Sequence, residues 1–168
     1  MVTFTEMAMG VFLGGAAVVI LAWFVARMER WRRCRNLASA FVGEIASQLS
    51  VLETCESSFP LDRKRETTNF HSPPKFPAAT IYESNSDRLV DFESPIPLEI
   101  VRFYCALSVL RSSLADFPLS AQNGQEESGR ALARIANCAE EVAQLGERLL
   151  REFGAMIQHR STRKPRFN

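Results

Sequence analysis

One stretch constrains this chain more than any other. Met7 to Ala26 is a run of twenty residues without a charged side chain, MAMGVFLGGAAVVILAWFVA. At about 1.5 Å rise per residue, a helix of that length reaches roughly 30 Å, the hydrocarbon thickness of a bilayer. Backbone polar groups in lipid must be bonded internally, so the run predicts a transmembrane helix. A buried helix of a water-soluble protein is the competing reading, but few such helices are apolar on every face over this length. A cleaved signal peptide needs a basic stretch before the apolar run and small residues at a cut site. Here the basic residues follow the run, and no A-x-A-like site precedes Arg27.

The charges around the run give its direction. Residues 1–26 carry one charged side chain, Glu6, whereas residues 27–35 carry Arg27, Arg30, Arg32, Arg33 and Arg35 against Glu29, a net +4. Cytoplasmic flanks of membrane helices are enriched in Lys and Arg. Residues 1–6 are therefore expected outside and residues 27–168 inside, with the five arginines setting topology and contacting lipid. Trp23 and Trp31 bracket the exit point, where interface aromatics belong, although Trp31 could pack on the body instead. Gly10 and Gly14 form a G-x-x-x-G, and Gly15 adds a third small residue. That spacing lets two helices approach closely, a route to a homo-oligomer.

The overall charge of +1, from 20 basic and 19 acidic side chains, conceals this arrangement. Residues 36–159 hold 11 basic and 17 acidic side chains, a net −6, and residues 160–168 return to +4 through Arg160, Arg163, Lys164 and Arg166. Taken alone, the even balance speaks against a general nucleic-acid binder, and no specific nucleic-acid partner is expected. The basic tail suits an anionic leaflet, weak salt-dependent contact with nucleic acid, or a solvated end. A hydrophobic fraction of 46% excludes a wholly disordered chain, and 168 residues suggest a single domain.

Helical patterning continues past the membrane run. Leu37, Phe41, Ile45, Leu49 and Leu52 recur at helical spacing, with Ala38 and Gln48 beside them, so the first helix is expected from about residue 5 to 56. Residues 57–79 contain Pro60, Pro73, Pro74 and Pro77 and read as a long loop. Residues 79–92 read as a short helix with Ile81, Asn85, Leu89 and Phe92 on one side. Ser94-Pro95-Ile96-Pro97 signals the start of a helix running from about Pro97 to Phe117, with Glu99 near its N-terminus. Its apolar side is Ile100, Phe103, Tyr104, Leu107, Leu110, Leu114 and Phe117. Pro118 to Gly124 reads as a break, and Asn123-x-x-Glu126 resembles a capping box. A last helix is expected over about 124–159, with a stripe of Leu132, Ile135, Ala139, Val142, Leu145 or Gly146, Leu149, Phe153 and Met156. There is no alternating strand pattern and no internal repeat. The expected fold is all-α: an N-terminal transmembrane helix continuing into a cytoplasmic helical bundle with a long Pro-rich loop. Its segments are a short external N-terminus (1–6), the membrane helix (7–26), a basic collar with an amphipathic extension (27–57), the loop (58–78), the bundle (79–159) and the basic tail (160–168).

The sequence offers little for catalysis. Cys34, Cys55, Cys105 and Cys138 are too far apart for a C-x-x-C unit. Cys55, Cys105 and Cys138 fall in apolar helical stretches, where a thiol behaves as a small hydrophobe. Cys34 is juxtamembrane, where acylation is conceivable in a eukaryotic cell. His71 lies in the loop and His159 near the last helix end. No zinc-protease, P-loop, dinucleotide or nucleophile-elbow motif occurs. Glu126-Glu127 and Glu140-Glu141 are adjacent pairs pointing in different directions, as on a solvated face. No cofactor or metal is expected, and the chain reads as non-enzymatic.

A block between Phe76 and Leu110 carries a resemblance. Phe76-Pro77, Ile81-Tyr82-Glu83, Arg88-Leu89, Pro97-x-Glu99 and Val101-Arg102-Phe103-Tyr104 occur in that order. This is similar to small bacterial single-pass membrane proteins that have an apolar N-terminal helix, a Pro-rich loop, such a block and a helical end. Where those carry Gly-Leu-Leu-Pro-Pro, this chain has Val90 to Pro97. The resemblance implies a helical fold in the bacterial inner (plasma) membrane and brings no catalytic residues with it. Within the block, Tyr82, Arg88 and Tyr104 are the polar set for structural docking or a binding groove. The expected function is a cytoplasmic interaction or scaffolding module, with the bilayer, a protein partner and further copies of itself as partners. The alternative is a membrane-anchored sensor with a small-ligand pocket among its helices.

Overall fold

Helix α1 runs from Phe4 to Ser58 because nothing in the sequence interrupts it: the segment contains no proline. The structure, a computed structural model, describes residues 4–58, 74–122 and 125–158, with side-chain surroundings within 15–55, 74–118 and 126–158. The regular elements among the described residues are all helices, with no strand. After α1 come α2 (Thr80–Asn85), a 3-10 turn (Ser86–Asp91), α3 (Ile96–Gln122) and α4 (Gln125–Gln158). The chain divides into two units, Met1–Leu37 and Ala38–Asn168.

In the first unit, every residue from Gly15 to Arg27 is exposed. Val18, Val19, Ile20, Leu21, Trp23, Phe24 and Val25 are 54–68% exposed, and together they cover more than one full turn of the helix. Among the described residues, no helix is long and apolar enough to cross a membrane. Residues 7–14 of the apolar run, including Gly10 and Gly14, lie outside the described side chains.

The second unit is built around aromatic rings. Phe41 of α1 stacks on Phe153 of α4 (centroids 6.0 Å apart, planes at 9°), and Phe92 closes the triad at 6.2 Å and 5.7 Å. Ala38, Phe41, Ile45 and Leu52 are the buried stripe of α1, and Ile100, Phe103, Tyr104, Leu107, Leu110, Leu114 and Phe117 that of α3. Helix α3 packs along α4. On α4, Gly146 permits a close approach: a Cβ there would stand 2.9 Å from Leu49 Cδ2 and 3.1 Å from Phe103 Cε2.

Several expectations need correction. The segment 79–92 is not one helix: α2 gives way to the tighter 3-10 turn, which buries Leu89. Helix α3 does not stop at Phe117 but contains Pro118 and continues to Gln122. Proline removes one backbone donor and crowds the preceding turn. Here that cost falls near the end of a long helix whose Leu114 and Phe117 remain buried on the core side. The α4 stripe begins with Ala131, 5% exposed, and Leu132 is turned outward at 36%. The helical period from Val142, Leu149 and Phe153 back through Ala139 and Ile135 reaches position 131 rather than 132. Cys105 is exposed, because Phe103, Tyr104 and Leu107 place the core on the other side of α3. Cys34, Cys55 and Cys138 are half-buried. Asn123, His71, His159, most of the Pro-rich loop and the basic tail lie outside the described residues.

Candidate functional site

Glu44 and Gln48 stand one turn apart on α1, on the side that also presents Phe41, Ile45 and Leu52. Both polar side chains are buried, at 9% and 0% exposure. Buried polar groups are costly unless bonded, and these two are bonded to a single stretch of chain, residues 77–82.

Glu44 Oε2 accepts the Ile81 N–H at 2.6 Å and the Thr80 hydroxyl at 3.4 Å. Its Oε1 accepts the Tyr82 N–H at 3.3 Å and the Tyr104 hydroxyl. The first N–H groups of any helix lack intrahelical acceptors. Helix α2 has no side-chain cap of its own at Ala79, so Glu44 supplies that cap from α1. The Tyr104 ring stacks on Tyr82 (4.2 Å, 14°) and meets Phe103 edge-on at 5.1 Å. Burial, followed by the bond to Glu44, holds the Tyr104 hydroxyl well above the usual tyrosine range. It therefore stays protonated and serves as a donor.

The second node centres on a proline carbonyl. Gln48 Nε2 donates to Pro77 O at 2.9 Å, and the Arg111 guanidinium of α3 donates to the same oxygen at 2.5 Å. Arg111 also donates to Gln48 Oε1 at 3.1 Å and lies 5.6 Å above the Phe76 ring. Residues 74–79 have no regular secondary structure. They form a strap held to α1 and α3 chiefly through backbone atoms. Beside it lies a half-open depression of about 220 Å³, lined by Pro74, Phe76, Arg111, Leu114 and Ala115.

No family model, curated protein or solved structure matches the chain. The role of the site therefore rests on its own geometry.

Of the expected polar set, Tyr82 and Tyr104 come together on Glu44. Arg88 does not join them: its guanidinium reaches Asn85 Oδ1 at 3.4 Å on its own turn. The sequence alone does not single out Glu44 or Arg111, and Gln48 enters it only as a neighbour of the apolar stripe. The available signal is a pair of polar residues, at 44 and 48, interrupting the core face of an amphipathic helix. The collar arginines Arg27, Arg30, Arg32, Arg33 and Arg35 are all exposed. Arg33 pairs with Glu29 at 3.2 Å, Arg27 lies 5.6 Å over Trp23, and Arg35 lies 5.8 Å over Trp31.

A further carboxylate cluster joins α3 to α4. Glu99, 9% exposed in the first turn of α3, receives Arg148 at 3.3 Å. Partial burial, followed by the charge of Glu99, raises the Glu152 carboxyl above its ordinary value, and Arg148 works in the opposite direction. One oxygen of Glu99 and one of Glu152 have no hydrogen-bond partner among the described residues. Glu126 pairs with Arg130, and Glu140 accepts from Gln144 at 3.1 Å, on exposed surface. Among the described residues, no group of three or more His, Cys, Asp or Glu could hold a metal ion. The seam fastens the strap and the start of α2: each donor and acceptor described at Glu44 and Gln48 meets the strap, the first turn of α2, Tyr104 or Arg111.

Proposed function

We propose that the chain is a single-pass membrane protein of the bacterial inner membrane, with its N-terminus outside and a cytoplasmic helical body. On this reading the body is a non-enzymatic interaction or scaffolding module, and its polar seam keeps the end of the Pro-rich segment in place as part of the contact surface. The carrying observation is the exposure of apolar side chains from Val18 to Val25 on every side of α1, followed at once by five arginines. An exposed apolar surface of that extent calls for a non-aqueous cover. Seven such side chains, each worth about 1.5–3 kcal/mol when fully buried and here little more than half exposed, gain roughly 6–13 kcal/mol on leaving water. The order of apolar run and basic collar supports the stated direction. The resemblance of the Tyr82–Tyr104 block to small bacterial membrane proteins accords with this reading.

The depression beside Phe76 and Arg111 favours a second reading, a small-ligand sensor, since it combines an apolar wall with a guanidinium. Extraction of membranes with alkaline carbonate tests the leading one. The full chain should stay in the membrane pellet, and crosslinking in intact membranes should recover a stoichiometric neighbour or a second copy. Release into the supernatant sinks the anchor. A chain that stays in the pellet, crosslinks to nothing and is monomeric in detergent sinks the interaction module.

A further inference from the structure

The collar arginines are not a stripe. Helix α1 is continuous through residues 27–35, so each residue advances about 100° around the axis. With Arg27 at zero, Arg35, Arg32, Arg33 and Arg30 fall at about 80°, 140°, 240° and 300°. The widest gap is about 100°, and Glu29 occupies it at about 200°. Glu29 is itself paired to Arg33 at 3.2 Å. All five guanidinium groups are on exposed side chains. They ring the helix within a height of about 12 Å.

That distribution discriminates between partners. A protein or nucleic-acid partner docks on one side and is met by charge gathered on one face. A partner that surrounds the helix is met by charge on every face. Two of the arginines also lie over indole rings, Arg27 on Trp23 and Arg35 on Trp31. A guanidinium carries a planar N–H fork whose geometry matches a phosphate oxygen pair. Tryptophan and arginine together are the side chains that favour the headgroup layer.

We propose that residues 27–35 form an annular binding site for anionic phospholipid headgroups, with the lipid phosphates distributed around α1 and Arg27, Arg30, Arg32, Arg33 and Arg35 as their ligands. This rests on the membrane-anchored reading and adds the chemistry of the lipid. Each guanidinium at an anionic surface contributes roughly five-fold to binding at moderate salt. Five around one helix therefore enrich anionic lipid in the shell rather than fix one lipid at one point.

The test uses the full chain, reconstituted in parallel into phosphatidylcholine vesicles and into an equimolar phosphatidylcholine–phosphatidylglycerol mixture. Co-purifying lipid is then counted by native mass spectrometry. Incorporation into both vesicles is expected, with several-fold more phosphatidylglycerol than phosphatidylcholine retained from the mixture. The triple variant R30Q/R32Q/R33Q should still incorporate but show a several-fold smaller preference for phosphatidylglycerol than the wild type, and added inorganic phosphate should not displace the lipid from the wild type. Incorporation into both vesicles without lipid preference overturns the annular site and leaves the membrane anchor standing. An undiminished preference in the triple variant overturns it too, as does displacement by inorganic phosphate, which would make the site one for a free anion. Failure to incorporate into either vesicle overturns the anchor itself, and the annular site with it.

Discussion

Replacing Glu44 by alanine should unfasten α2 from α1, and its cost can be worked from the contacts. The carboxylate serves two backbone donors, Ile81 and Tyr82, and two hydroxyls, those of Thr80 and Tyr104. Loss of a helix cap costs about 0.5–2 kcal/mol, and an orphaned buried donor, here the Tyr104 hydroxyl, costs about 1–3 kcal/mol. Thr80 is exposed and Tyr82 half-buried, so water replaces part of what they lose. The sum is about 2–4 kcal/mol, a large fraction of the ~5–15 kcal/mol that holds a domain together. For a body of this size that corresponds to a fall in melting temperature on the order of 10 °C. Far-ultraviolet circular dichroism of the full chain in detergent, with thermal and urea melts, reads the change. Tyr104→Phe removes one of the donors together with its need for an acceptor, so it should cost less than Glu44→Ala. In the double variant the effects should be clearly less than additive, because once the Tyr104 hydroxyl is gone no donor is left orphaned there. A Glu44→Ala variant as stable as the wild type would refute the capping argument. So would strict additivity with Tyr104→Phe, which would mean the two groups do not act on each other.

Other outcomes follow from the packing. Gly146→Ala should destabilise by about 1–3 kcal/mol, because the new methyl meets Leu49 and the fully buried Phe103 ring, whereas Gly43→Ala, with open space around it, should stabilise by about 0.5–1 kcal/mol. Paired urea melts check both. Because the Glu152 carboxyl is raised in the folded chain, the folded state binds its proton more tightly than the unfolded state does. Its contribution is full below the ordinary glutamate pKa and is lost as pH rises through the raised value. Glu152→Gln should therefore flatten the stability-against-pH curve on that side, as read by melts across a pH series. Arg111→Lys should loosen the strap, since an ammonium cannot reproduce the planar fork that reaches both Pro77 O and Gln48 Oε1. Faster amide exchange at 78–82 than in the wild type checks this.

The parts of the fold that are legible in sequence are those governed by periodicity. The α3 face from Ile100 to Phe117 and the α1 stripe through Phe41 and Ile45 are buried as their spacing requires. Where a single residue type is asked to fix a boundary, tertiary packing prevails. Pro118 reads as a stop, yet buried neighbours on its N-terminal side carry the helix past it. Size favours Leu132 over Ala131 for the core, although the period of α4 selects the smaller residue. The polar seam is less legible for a different reason. Its principal acceptor on the strap is the carbonyl of Pro77, and its principal donors at the start of α2 are the amides of Ile81 and Tyr82. Backbone atoms leave no signature in side-chain identity. Tyr82 and Tyr104 can be singled out by residue type, but their common partner lies sixty positions from Tyr104 along the chain, on α1.

The central claim is that α1 passes through a membrane and delivers the body to the cytoplasmic side. The most direct measurement is a dual reporter fused after Asn168 and expressed with the whole chain in bacterial cells. One half is a fluorescent protein that matures only in the cytoplasm, and the other is a phosphatase active only outside the inner membrane. Membrane-localised fluorescence without phosphatase activity is the expected result. Phosphatase activity without fluorescence would reverse the orientation, and fluorescence recovered in the soluble fraction would contradict the anchor.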